Sequence, residues 1–168
     1  MNQFAITWLD LREVADQRAR APALLQRAAG WLRAAPTACV IDLGAGTGST
    51  LRALRSAGLE APCWHLVDHD AALLNEARHR HADELTLRTH TRDLCDLDAL
   101  PLEDGALVSA SALFDLTSKA FCTGLVARLA QHGAALYAAL NYDGDMRWTP
   151  AHPLDAAVLA AFNRDQQR

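Results

Sequence analysis

The sequence predicts an α/β protein, a doubly wound, mostly parallel sheet of about five strands with flanking helices. Three observations predict it. Short apolar runs alternate with amphipathic stretches along the chain, the pattern of strands joined by crossover helices. A glycine-rich turn, Asp42-Leu43-Gly44-Ala45-Gly46-Thr47-Gly48, separates the first apolar run from a helical stretch. Each later strand is reached through a helix or a long connection, as parallel pairing with right-handed crossovers requires.

The elements follow in order. Helical stretches run from about Leu9 to Arg20 and from about Ala23 to Ala34, broken by Pro22 and stopped before Pro36. Ala38 to Leu43, with Val40 and Ile41, reads as a buried strand. After the glycine turn a helix runs from Ser49 to about Ala57, with Gly58 as its C-cap. Cys63 to Val67 is the second strand and Ala71 to about Ala82 the second crossover helix. Leu85 to His90 alternates as a third strand, and Asp93 to Pro101 is a connection with room for a turn of helix. Ala106 to Ala110, Ser118 to Gln131 and Ala134 to Asn141 read as strand, helix and strand. A final helix covers Leu154 to Phe162. Residues 1–36 read as a helical cap region and 37–168 as the body of a single domain.

Bulk properties narrow the function. The 168 residues suit one core, and no apolar run reaches the roughly 20 residues of a transmembrane helix. Met1-Asn2-Gln3-Phe4 lacks a signal peptide's basic and apolar regions, so the cytoplasm is the expected compartment. The net charge of −4 offers no basic face for nucleic acid. Cys39, Cys63, Cys95 and Cys122 form no C-x-x-C pair and are expected to be reduced, mostly buried thiols. His79 and His81, two residues apart on a helix, point in different directions. No metal site is read from this sequence.

The chemistry concentrates at the glycine turn. Such a turn brings a ligand against bare backbone, and the following helix N-terminus offers unpaired N–H groups to an anion. A dinucleotide fingerprint, G-x-G-x-x-G, would put its third glycine where Ser49 stands; here the glycine is Gly48. Asp42 lies inside the strand end, where a negative charge suits a cationic amino group rather than a pyrophosphate.

Val40 to Ser49, V-I-D-L-G-A-G-T-G-S, resembles motif I of the class I S-adenosylmethionine (SAM)-dependent methyltransferases. The likeness continues at Leu66-Val67-Asp68-His69-Asp70, at Thr91-Arg92-Asp93-Leu94 and at Ala110-Ser111-Ala112-Leu113-Phe114, and spans roughly Val40 to Asn141. It implies a Rossmann-like fold and SAM as cofactor. It implies cofactor contacts from Asp42, Gly44, Ala45, Gly46, Gly48 and Ser49, with ribose on Asp68 beside His69. Adenine would fall to Arg92, Asp93 and Leu94, and the methionine part would pass over Ser111.

Each role has an alternative in the residues themselves. Asp68 could be a turn residue, with Asp70 capping the next helix. Asp93 could cap the short connection, and Ser111 could only satisfy a strand end. The acceptor side has no motif, because the chemistry is chiefly positioning. Asp115 is the acid nearest the expected methyl position, or else the cap of the helix near Ser118. Tyr142 either lines the acceptor pocket or packs. Trp8 and Arg12, on the N-terminal helices with Asp16, Arg18 and Arg20, either cover the site, where an arginine would select an acidic substrate, or form a solvated face. The segment after the fourth strand lacks the Asn/Asp-Pro-Pro-Tyr/Phe motif that holds a flipped base, so a small-molecule acceptor is expected. A non-catalytic SAM-binding or partner-binding module is the second reading, and an NAD(P)-dependent oxidoreductase the third. The resembled family's sheet has seven strands, ending in a hairpin that this sequence lacks. Truncation of a longer chain is therefore expected, with an open sheet edge that invites homodimerisation.

Overall fold

The structure, a computed structural model, describes residues 5–59, 63–81 and 86–166. Five parallel strands form one sheet: β1 (Val40–Leu43), β2 (Trp64–Asp68), β3 (Leu87–Thr91), β4 (Leu107–Ser111) and β5 (Ala135–Ala139). Their order is β3-β2-β1-β4-β5. The chain runs outward from β1 to β3, then returns to β4 on the other side of β1. This reversal opens a crevice at the carboxyl ends of β1 and β4, where ligands bind in open α/β sheets.

Six α-helices surround the sheet: α1 (Ile6–Ala19), α2 (Pro22–Ala34), α3 (Ser49–Ser56), α4 (Ala71–His81), α5 (Lys119–Gln131) and α6 (Asp155–Gln166). Alternation along the strands feeds two cores. Val40, Trp64 and Leu66 pack with Ala29 and Leu32 of α2, Leu51 and Leu54 of α3, and Leu74 of α4. Ile41, Leu43, Val67 and Val108 face the other way, onto Leu125 and Leu129 of α5. β1 and β2 are buried on both faces, which explains their continuous apolar character. β3 is a half-exposed edge strand, which explains its alternation.

The expected elements are present, with ends displaced by up to a few residues. α1 begins at Ile6 rather than Leu9, and α2 includes Pro22 at its first turn, where a missing N–H is harmless. Gly58 closes α3 at φ 77°, its N–H donating to the Arg55 carbonyl. Met1 to Phe4, the helix end at Ala82, the strand start at Leu85, and Gln167 and Arg168 lie outside the described residues.

The expectation for the cysteines fails on both counts: none of the four is fully buried, and two of them are bonded to each other. Cys39 and Cys63 form a disulfide, with Cα atoms 4.9 Å apart, rather than two free thiols. They are 24 residues apart in the chain, yet each immediately precedes its strand, and Val40 N–H donates to the Cys63 carbonyl. Strand neighbours are invisible to a count of cysteine spacings. Cys95 and Cys122 are free, the former exposed and the latter half-buried.

Candidate functional site

The glycine turn ends β1 and starts α3. Gly46 sits at φ 52° and Gly48 at φ 87°, conformations that side-chain-bearing residues rarely adopt. A Cβ on Gly48 would stand 3.3 Å from His81 Nε2 of α4. Gly48 therefore lets α3 pack against α4. Gly46 instead turns its backbone N–H onto β2, donating to Asp68 Oδ2 at 2.8 Å.

Asp68 is the organiser of this edge. Nine-tenths buried at the end of β2, it accepts from Gly46 N–H on one oxygen and from Asp70 N–H on the other, at 3.0 Å. His69 Nδ1 lies 3.2 Å from Asp68 Oδ1. A carboxylate has about four acceptor positions, so lone pairs remain for a ligand's hydroxyls. Asp70 caps α4, accepting from Ala72 N–H at 2.8 Å and Leu73 N–H at 3.4 Å, as the capping alternative required.

Asp42 lies beneath the site. It is buried, Ser109 Oγ donates to Oδ1 at 2.6 Å, and Oδ2 has no hydrogen-bond partner. Burial pushes its carboxyl up to about 6, against the opposing pull of Ser109 and the nearby Arg20 guanidinium. Arg20, at the end of α1, is itself 3% exposed. Its Nη1 donates to Ser111 Oγ at 3.0 Å and its Nη2 to Ser49 Oγ at 3.4 Å, while Nε is buried without a partner. Thr50 Oγ1 completes the cluster, 2.9 Å from Ser111 Oγ.

Above them a cavity of about 750 Å³ opens. Of the expected cofactor residues it is lined by Gly44, Ala45, Gly46, Ser49, Asp68, His69, Leu94 and Ser111. Asp42, Gly48, Arg92 and Asp93 are not part of its lining. Asp93 accepts from Cys95 N–H at 2.9 Å, and that bond holds its carboxyl below the usual range. In this form it caps its own turn.

Among the expected acceptor residues, Arg12, Asp115 and Tyr142 line the cavity, whereas Trp8 does not. Arg12 Nε pairs with Asp16 at 2.8 Å. Asp115 belongs to a short 3-10 turn, Phe114–Leu116, and does not cap α5. That task falls to Ser118, whose Oγ accepts from Phe121 N–H at 3.1 Å. Tyr142 Oη donates to Asn163 Oδ1 at 2.7 Å, and its ring packs edge-on against Phe162, both of α6.

Some lining residues were given no role of their own by the sequence. Ala112 and Leu140 follow β4 and β5 at φ 51° and 58°. These left-handed residues turn the chain at the two strand ends bordering the cavity. Arg20 appears in the sequence only as one of several helix arginines; its burial depends on the packing of α1. Residue type gives no signal for either.

The matching family model is described as a methyltransferase domain and covers residues 40–140. No curated protein sequence matches the chain. Several solved structures share its fold. Haemonchus contortus phosphoethanolamine N-methyltransferase 1, in complex with phosphoethanolamine and S-adenosylhomocysteine, is 15% identical with a TM-score of 0.54. That match covers 86% of this chain and 34% of the other. A putative SAM-dependent methyltransferase from Methanococcus maripaludis is 15% identical at a TM-score of 0.53, over 98% of this chain and 75% of that one. A SAM-bound amino pentose methyltransferase from Micromonospora echinaspora is 21% identical at 0.52, over 89% and 60%. The chain thus spans between about a third and three quarters of these structures. With motif I on β1 and the turn after it, and with more than half its length inside the family model, the chain belongs to the methyltransferase domain family, whose cofactor is SAM.

Proposed function

We propose that this domain transfers a methyl group from SAM to a small-molecule acceptor in the cavity above the glycine turn. The observation that carries the proposal is the Asp68 carboxylate, fixed by Gly46 N–H at the mouth of a 750 Å³ cavity. When bound, SAM would supply a methyl on a sulfonium, the bond from sulfur to methyl breaking to leave the neutral thioether S-adenosylhomocysteine.

The chain's residues then have positioning work to do. Asp68 would accept hydrogen bonds from the ribose hydroxyls, and Leu94 and His69, which line the same cavity, would flank the adenosine. Arg20, with an unpartnered buried Nε and nearby hydroxyls of Ser49, Thr50 and Ser111, suits the methionine carboxylate. Asp42, buried beneath the cavity, would supply countercharge through Arg20. Of the expected cap region 1–36, α1 with Arg20 covers the cavity, whereas α2 packs into the core. Arg12, Asp115 and Tyr142 would face the acceptor, with Arg12 already paired to Asp16. Arg92 and Asp93 reach adenine only if the Asp93 turn opens.

No helix of the described residues is long and apolar enough to cross a membrane, and the acidic chain gives nucleic acid no basic face. We place the domain in the cytoplasm, with β5 as an open edge for a second copy. The experiment is transfer of labelled methyl from SAM to fractions of a metabolite extract. Label moving into a small-molecule fraction supports the proposal. Cofactor binding without transfer to any fraction would favour a non-catalytic SAM-binding module.

A further inference from the structure

A second group of chemically able side chains stands at the opposite edge of the sheet, where β1 and β2 begin. Cys39 and Cys63 precede these strands, His65 is the second residue of β2, and Glu103 lies on the loop leading into β4. One potential ligand atom from each lies within 4.8 Å of the others. The cofactor cavity uses none of them.

Three features make this more than a disulfide with neighbours. His65 is buried, and its Nε2 has no hydrogen-bond partner. That nitrogen faces Glu103 Oε1 at 3.4 Å. On the other side of the ring, His65 Nδ1 lies 3.0 Å from His90 Nε2 of β3. An imidazole with one nitrogen engaged and the other without a hydrogen-bond partner beside a carboxylate, in a cluster with two sulfurs, is arranged as a metal-bound histidine is.

We propose that Cys39, Cys63, His65 and Glu103 form a zinc site when the Cys39–Cys63 bond is reduced. Two thiolates, one imidazole and one carboxylate make a four-coordinate set, with donors of the kinds zinc prefers. Ligands about 2.0–2.3 Å from a tetrahedral ion stand roughly 3.3–3.8 Å apart, within the span of this cluster. The sulfurs must separate from bonding contact, which side-chain rotation allows. Glu103, half-exposed, gives the ion a route in from solvent.

The chemistry balances. A dithiol reductant donates two electrons and two protons to the Cys39–Cys63 bond, giving two thiols and the oxidised reductant. Zinc binding then releases the two thiol protons. Disulfide and metal are mutually exclusive states of one sulfur pair. In a reducing compartment the thiol state is favoured.

Cobalt(II) serves as the probe, because thiolate-bound tetrahedral cobalt has strong d–d and charge-transfer absorption that zinc displaces. The reduced chain is expected to take one cobalt per molecule, displaced by zinc, and the diamide-oxidised chain none. Cys63→Ser should abolish the spectrum and Cys95→Ser should leave it intact. His90→Ala should weaken binding about 10–100-fold, as loss of a ligand-orienting partner does. The reduced and oxidised wild-type chains differ in no residue, so their comparison stands even if a variant misfolds; circular dichroism checks the variants. Cobalt binding that persists after oxidation would overturn the proposal. So would cobalt binding by reduced wild type no tighter than by folded Cys63→Ser.

Discussion

Asp42 is a buried acid with one satisfied oxygen and one without a partner, and its ionisation works against the folded state. Its carboxyl is raised from 3.8 to about 6 by burial. A raised acid pKa means that the unfolded chain ionises first. The group's contribution to stability is therefore full below about pH 4, is lost as pH rises toward 6, and stays lost above. A shift of that size corresponds to about 3 kcal/mol. Asp42→Asn imitates the protonated acid, so it should be more stable than wild type at pH 7 by up to about 3 kcal/mol and equal near pH 4. Thermal unfolding across that range checks it; a gap that does not grow between pH 4 and 6 contradicts it. Gly48 offers a second test. At φ 87° with His81 against its open face, Gly48→Ala should cost about 1–3 kcal/mol in denaturant unfolding.

At the scale of elements, α1 is the informative piece. None of its residues up to Ala19 is buried, so hydrophobic packing does little to hold it. Ion pairs do. Arg52 of α3 donates through Nε to Glu13 at 2.7 Å and through Nη2 to the other carboxylate oxygen. Arg80 of α4 makes two bonds to Asp10, at 2.7 and 3.0 Å. Burial raises the Glu13 carboxyl, but the Arg52 bonds outweigh it and hold the pKa below the usual value. That stabilisation is present at neutral pH and lost as pH falls through the acid range. Arg52→Met should free α1 by about 1–2 kcal/mol. Hydrogen exchange would then read roughly 5–30-fold faster amide exchange in α1 with the sheet unaffected; unchanged exchange would mean that something else holds the helix. The helix itself was legible from its pattern and from Pro22. Its place over the cavity was not, because ion pairs between residues 39 and 70 positions apart leave no local periodicity.

For the whole molecule, legibility follows the range of the interactions. Strands and crossovers announce themselves through local apolar runs, so the order of elements could be read. Asp68 was found because motif I and the end of β2 keep a fixed separation across one crossover. The Cys39–Cys63 pair was missed because it depends on strand adjacency, and Arg20 because it depends on α1 docking. Asp115 had two readings open, and the fold removed the capping one by giving the α5 cap to Ser118. The cavity is assembled from the ends of different elements, and its parts share no spacing. The proposed binding of the adenosyl cofactor rests on the turn after β1 and on Asp68. Calorimetric titration with S-adenosylhomocysteine tests it most directly. One molecule should bind per chain, and Asp68→Ala should weaken it roughly 10–100-fold, the loss of charge-assisted bonds. Absence of binding by the folded wild-type chain, or equal affinity in a folded Asp68→Ala variant, would contradict it.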